Sequence, residues 1–479
     1  MVNENKIYPE MKVIRFLTIV LLLSCSEKKP TVQGNIVNDI TQLNPIVVKD
    51  IITPTTINEI VDVVKATNGP ISIGGGRFSM GGQTATEDAI QIDMRKFNRI
   101  VKFSKSQKQI TVQAGIRWRE VIQFIDKHDL SVRIMQTYAN FTVGGSLSVN
   151  VHGRYVGEGP IILSVKSIKV VLANGEVVLA SPSQNQDIFY AAIGGYGGIG
   201  IIAEATLLLT ENCKVERKDE VMNIEDYEQY FVSEIKNNKN VIFHNADIYP
   251  NRFDEIRAVS YSRTTKSLTI QERLKPNDGN YGFNRFAIKA VSGASFGKWL
   301  RKDIANPIYY KSNPVQWRNY EATYDVRELE PSSRTKSTYV LQEYFVPVEN
   351  FKSFYPRLVE ILKDNEVNVL NISIRNAKQD PGSILAWAKT EVFAFVIYYE
   401  QGVTQSDKQK VKLWTQQLID ASLSLKGSYY LPYQIHATKQ QFLKAYHKAK
   451  EFFEVKRKYD PTYKFKNKFF DAYYDDQAR

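Results

Sequence analysis

Apolar positions recur along this chain at two spacings, that of an amphipathic helix and that of a half-buried strand. Ile57, Ile60, Val61 and Val64 share one helical face. Thr56-Ile57-Asn58-Glu59 forms a capping box ahead of them, and Gly69-Pro70 stops the helix. Trp118, Val121, Ile122 and Ile125 give a second such face. Ile90–Met94 and Gln109–Ala114 alternate as strands. Leu163–Leu172 and Val177–Leu179 flank Asn174-Gly175, a hairpin signal, and Ile201–Leu209 is a further strand. Beyond residue 213, alternating strands at Thr338–Val346, Val367–Arg375 and Val392–Tyr399 are separated by helical stretches such as Phe351–Lys363. Short separate strands mixed with helices predict an α+β fold, not the regular βαβαβ of a doubly wound one.

Three glycine-rich segments interrupt this pattern. The first follows a short strand: Gly74-Gly75-Gly76-Arg77-Phe78-Ser79-Met80-Gly81-Gly82-Gln83. Glycine permits close approach to the main chain, and successive exposed N–H groups make an anion nest suited to a pyrophosphate. No Gly-Lys-Ser/Thr ends it, so it is not a P-loop. An ordinary glycine-rich hairpin is the other reading. The second segment, Asn140 to Gly153, combines Thr142, Val143, a Gly144-Gly145 turn, Ser148, Asn150 and His152 with almost no charge. It could lie against a flat heteroaromatic ring, and His152 is either structural or part of that site. The third, Gly195-Tyr196-Gly197-Gly198-Ile199-Gly200, is formally GxGxxG. It follows a helix and leads into a strand, the reverse of a Rossmann motif.

These segments, in this order and spacing, resemble the flavin domain of the vanillyl-alcohol oxidase superfamily, which includes aldonolactone oxidases, alditol oxidase and decaprenylphosphoryl ribose oxidase. Tyr459-Asp460-Pro461-Thr462-Tyr463-Lys464-Phe465-Lys466-Asn467 resembles the DPxxxFxN ending of the same family. The resemblance is strong over 45–212 and 425–470 and weak between. It implies a two-subdomain PCMH-type FAD-binding domain at 45–212, an α+β substrate cap at 213–430 and a segment at 431–479 that returns to the FAD domain. Gly74–Gln83 would wrap the FAD pyrophosphate and Val143–Gly153 would lie along the isoalloxazine. Gly197, Gly198 and Gly200 would pass near the adenine half, Ile201 would touch the cofactor through its main chain, and Asn467 would join the set. Many relatives carry a histidine, bonded covalently to the flavin, where this chain has Phe78. Phenylalanine has no nucleophilic atom, so FAD is expected to be non-covalent.

In Val367–Arg375, Leu370, Ile372 and Ile374 point one way and Asn371, Ser373 and Arg375 the other, toward either solvent or a ligand. Aldonolactone and alditol oxidases carry a Glu-x-Arg on a comparable strand. Here Ser373 takes the glutamate place and Arg375 is kept. Glu343, a polar position within an apolar strand, and Tyr433 complete the catalytic candidates. The expected reaction is oxidation of a CH–OH group of a sugar, polyol, lactone or lipid-linked sugar, with oxygen or a quinone-like molecule as acceptor. The alternative is a flavin-binding lipoprotein that carries electrons or binds a ligand without turnover.

Composition trims the remaining classes. The hydrophobic fraction is 43%, the net charge +12, and the cysteines number two, Cys25 and Cys213. A disulfide scaffold is excluded, the five histidines show no zinc spacing, and no nucleic-acid motif appears. Much of the basic excess lies between Lys439 and Lys468, a solvated face or an anion site. Lys12 and Arg15 precede the apolar run Phe16–Leu23, then Ser24-Cys25, which reads as a secretory signal. Leu22-Leu23-Ser24-Cys25 resembles the lipobox of bacterial lipoproteins. That implies 1–25 as a signal peptide, 26–44 as a polar tether, and a lipid-anchored protein of the bacterial cell envelope facing the periplasm or exterior.

Overall fold

A computed structural model describes residues 34–250, 252–277, 281–282, 288–289 and 305–474. Strands β1 (Asn35–Val37) and β2 (Ile46–Val48) pair with each other. A small parallel sheet follows, with β5 (Ile90–Asp93) between β3 (Asp50–Ile52) and β4 (Ile71–Gly74). Helix α1 (Ile57–Ala66) joins β3 to β4 and buries Ile60 and Val64. Its cap departs from the expected box. The Thr56 Oγ1 accepts from Glu59 N at 3.2 Å, but the Glu59 carboxylate accepts from Thr55 N at 2.7 Å rather than from Thr56.

The second sheet holds β6 (Ile100–Ser104), β7 (Gln109–Gln113), β8 (Leu130–Val132), β9 (Val165–Val171), β10 (Val177–Ala180) and β11 (Ile201–Glu211). Its order is β10-β9-β11-β7-β6, and β8 pairs with β11. The Asn174-Gly175 turn connects β9 and β10 as expected, with Gly175 at φ 82°. Helix α2 (Trp118–Asp126) buries Trp118, Val121, Ile122 and Ile125. Two short helices, α3 (Val143–Ser148) and α4 (Gln186–Ala192), complete this half. The expected Gly144-Gly145 turn is therefore helical. Thr142 caps it by accepting from Gly145 N, and without a β-carbon Gly144 lets α3 sit against Ala114.

The later residues build one antiparallel sheet of eight strands: β12 (Lys214–Asn223), β13 (Val241–Ile248), β14 (Glu255–Arg263), β15 (Val315–Trp317), β16 (Ser337–Pro347), β17 (Val369–Ala377), β18 (Val392–Gly402) and β19 (Ser428–Tyr429). Helices Phe351–Asp364 and Gln405–Ser424 cover one face, where Leu370, Ile372, Ile374, Phe395, Ile397 and Tyr399 are buried. The opposite face turns toward the glycine-rich half. The C-terminal segment then runs back to β4: Ile71 N donates to Lys464 O at 2.8 Å and Lys466 N to Ile71 O at 2.9 Å. The α+β class is as expected.

Two sequence readings meet different outcomes here. Cys25, the signal and residues 26–33 lie outside the described residues. The tether does not extend to Asn44. Asp39 is buried and accepts from Thr41 N, Thr41 Oγ1, Asn44 Nδ2 and Gly82 N, so these polar residues satisfy one another instead of facing water. Ile40 N donates to Arg77 O at 3.0 Å, which fastens the segment to the first glycine-rich loop.

Candidate active site

The three glycine-rich segments and the free face of the eight-stranded sheet enclose one cavity, with about 1740 Å³ of space up to and including its mouth. The first loop contributes Gly75, Gly76, Arg77, Phe78, Ser79, Met80 and Gln83. Gln83 Nε2 donates to the carbonyls of Leu431 and Tyr433, both at 2.7 Å, so the loop also positions the Tyr433 segment. From the second segment come Thr142, Gly144, Gly145, Ser148 and His152, and from the third Gly197 and Gly200. Gly197 adopts φ 74°, where a side chain is disfavoured.

A dinucleotide fits this half. A β-carbon at Gly75 would come within 2.3 Å of Thr142 Oγ1, so only glycine lets the loop pass there. Arg77 Nε and Thr84 Oγ1 are buried on the cavity wall without a hydrogen-bond partner in the protein, a donor and a hydroxyl free for phosphate oxygens. Desolvation is the largest influence on the Arg77 guanidinium and lowers its pKa, and Asp93 at 3.3 Å opposes that. Phe78 stacks on Phe141 with ring centroids 4.2 Å apart.

The other expected cofactor residues stand behind the wall. Gly74, Gly81, Gly82, Val143, Asn150, Gly153, Gly198, Ile201 and Asn467 do not line the cavity. Val143 and Ile201 are in the hydrophobic core. Asn150 donates to Asp380 Oδ2 at 2.7 Å and accepts from Ile162 N. Asn467 Nδ2 donates to Tyr196 O at 2.8 Å, and Gly81 lies too close to Tyr433 O for a side chain. Glycine spacing marks close packing and ligand approach alike, which is why sequence could not separate the two groups.

On the sheet side, Glu343, Arg375 and Tyr433 come together at the same cavity. In the ladder Glu343 opposes Val396, which opposes Ser373, and Arg375 opposes Ala394 in the next same-face row. Ser373 itself does not line the cavity. Glu343 is buried, and its two carboxylate oxygens have different partners: His152 Nε2 at 2.5 Å and the Tyr433 hydroxyl, which donates at 3.2 Å. His152 Nδ1 lies 3.3 Å from Gly153 O. The Nε2–Oε1 separation is that of a hydrogen bond between the two side chains. Burial, together with the Glu343 charge, pushes the Tyr433 phenol well above its ordinary range against the opposing pull of Arg375. Tyr433 is thus neutral and a donor at physiological pH. Arg375 Nε is buried without a partner.

Sequence reasoning missed Tyr430, Tyr398, Tyr138, Gln136, Glu330 and Arg334, all on the wall. Only Tyr430 carried any signal, its place in the tyrosine run 429–433. Tyr430 hydroxyl donates to Val149 O at 2.8 Å and braces the second segment. Among the described residues no group of acidic, histidine and cysteine side chains could hold a metal ion.

Residues 48–181 match the family model described as FAD binding domain. The chain is 31% identical over 157 residues to L-gulonolactone oxidase of Mus musculus, covering 32% of this chain and 36% of that one. It is 29% identical over 168 residues to cytokinin dehydrogenase 3 of Arabidopsis thaliana, covering 33% and 32%. Cytokinin dehydrogenase 4 of Oryza sativa subsp. japonica is 38% identical over 109 residues, covering 22% and 21%. The matches span about a third of these relatives' length or less.

Proposed function

We propose that this chain, whose residues 48–181 match an FAD binding domain, belongs to the vanillyl-alcohol oxidase superfamily and oxidises a CH–OH group of a sugar, polyol, lactone or lipid-linked sugar. FAD bound along the glycine-rich wall supplies the hydride acceptor. The observation that carries the reading is Glu343, held between His152 and Tyr433 on the wall opposite that cradle. With one hydrogen bond from His152 and one from Tyr433, the Glu343 carboxylate keeps free lone pairs and accepts a proton from a substrate hydroxyl. Tyr433 donates to the same carboxylate and steadies its orientation. The unpartnered Arg375 guanidinium offers a fixed donor to charge that develops on the substrate oxygen.

Three further elements belong to the same proposal. The electron acceptor is oxygen or a quinone-like molecule. The flavin is held without a covalent bond, because the loop position that would attach it is Phe78. A lipid on Cys25 anchors the protein at the bacterial envelope, a reading that rests on Leu22-Leu23-Ser24-Cys25 following a basic and then an apolar stretch.

The test is anaerobic mixing of the yellow protein with separate sets of sugars, polyols, lactones, lipid-linked sugars and secondary amines. Bleaching by one of the hydroxyl-bearing sets supports the reading. Bleaching by amines alone overturns the choice of donor. Failure of every set to bleach favours the electron carrier or ligand binder that does not turn over.

A further inference from the structure

Lys456 does not line the cavity, yet its ammonium is completely buried. It lies on the helix Ala449–Tyr459 and donates to three oxygens from three places in the chain. These are Gly198 O at 2.9 Å, Phe465 O at 2.9 Å and Asp460 Oδ2 at 2.8 Å. An ammonium has three donors and no acceptor, so every N–H is used. The rings of Tyr463 and Phe470 lie 4.7 Å from it, and Lys466 is the other charge that acts on it besides Asp460.

Gly198 belongs to the turn that shows Gly197 and Gly200 to the cavity. That turn is also tied to α3, through Gly194 N to Leu147 O and Tyr196 N to Ser148 O, both at 2.9 Å. We propose that Lys456 is a positioning residue for FAD: its charged ammonium draws Gly198, Asp460 and Phe465 to one point and so sets the turn that forms the cofactor wall.

Loss of one proton leaves two N–H groups and a lone pair facing three oxygens. Asp460 keeps other donors, Lys464 N at 2.7 Å and Phe465 N at 2.8 Å, and Phe465 is fixed through its neighbour Lys466 to β4. Gly198, in a separate element, is the partner released. Burial pushes the Lys456 amine down to about 8 against the pull of Asp460, so the charge is lost in an accessible range.

The sign separates a positioning role from a purely structural one. Because the folded value lies below that of free lysine, this group's contribution to folding stability rises with pH above about 8. FAD affinity should move the other way.

The experiment measures the FAD dissociation constant and the unfolding midpoint of the FAD-free protein. It compares wild type, the double variant Lys456→Met/Asp460→Asn, which strands no buried carboxylate, and Lys108→Met at a surface pair with Glu211. Wild type and Lys108→Met should lose about tenfold in FAD affinity between roughly pH 7 and pH 9.5, the loss of a hydrogen bond to a charged group. The double variant should bind weakly at every pH with a flat profile. A flat wild-type profile overturns the proposal, as does a double variant that keeps the wild-type pH response. So does an unfolding midpoint that falls in step with affinity. If the double variant fails to fold, the two wild-type measurements still decide.

Discussion

Glu343 meets two partners of different acidity, His152 and Tyr433, and its worth to the site lies in holding one oxygen for each. Glu343→Gln keeps the shape but cannot take a proton. It should slow anaerobic flavin reduction by about 10²- to 10⁴-fold and leave FAD content unchanged, as read by stopped-flow absorbance and by flavin-to-protein ratio. An unchanged rate would move the base elsewhere. Arg375→Met probes a different contribution, a fixed donor with its Nε unpaired in a buried wall. A donor placed at developing charge is worth about 3 kcal/mol, so the reduction rate should fall about a hundredfold while FAD stays bound. A variant that reduces its flavin at the wild-type rate would place Arg375 outside the reaction.

At the scale of elements, the alternation of β17 was readable as a pattern before its destination was known. Leu370, Ile372 and Ile374 go under the helices, and Arg375 goes to the cavity. Burial of one face requires that split, but nothing in the strand says whether the other face meets water or a ligand. Segment 34–44 is the reverse case. Its polar residues suggested a tether, yet they close on Asp39 and on the loop Gly74–Gln83. Asp39→Ala would leave Gly82 N and Thr41 N without their acceptor, while Asn44 Nδ2 keeps Met80 O. Unpaired buried donors cost about 1–3 kcal/mol, so the urea midpoint should drop and FAD affinity should weaken with it, since the loop lines the cavity. A variant as stable as wild type would restore the tether reading.

For the whole molecule, attachment of cofactor and of chain can be tested together. Acid precipitation should leave a white pellet and a yellow supernatant, because Phe78 offers no nucleophile and His152 is engaged by Glu343 on the wall. Colour that stays in the washed pellet would reveal another attachment residue. Cys25→Ser should move the protein from the membrane to the soluble fraction of bacterial cells. Several acyl chains hold firmly where one holds weakly, so unchanged fractionation of the variant would remove the anchor from the proposal.

The chain itself determined the α+β class and the FAD-binding segment, and it singled out Glu343, Arg375 and Tyr433 as candidates, which the fold brings to one cavity. Glycine positions and periodicity act through local backbone conformation, and each residue carries that information alone. Tertiary structure decided which glycines face the cavity and which only allow close packing. It also decided that His152 and Glu343, 191 positions apart, meet in a hydrogen bond. That contact depends on the β16–β18–β17 register and on the docking of two separate segments of chain. Non-local pairing fixes both, and no stretch of sequence contains it.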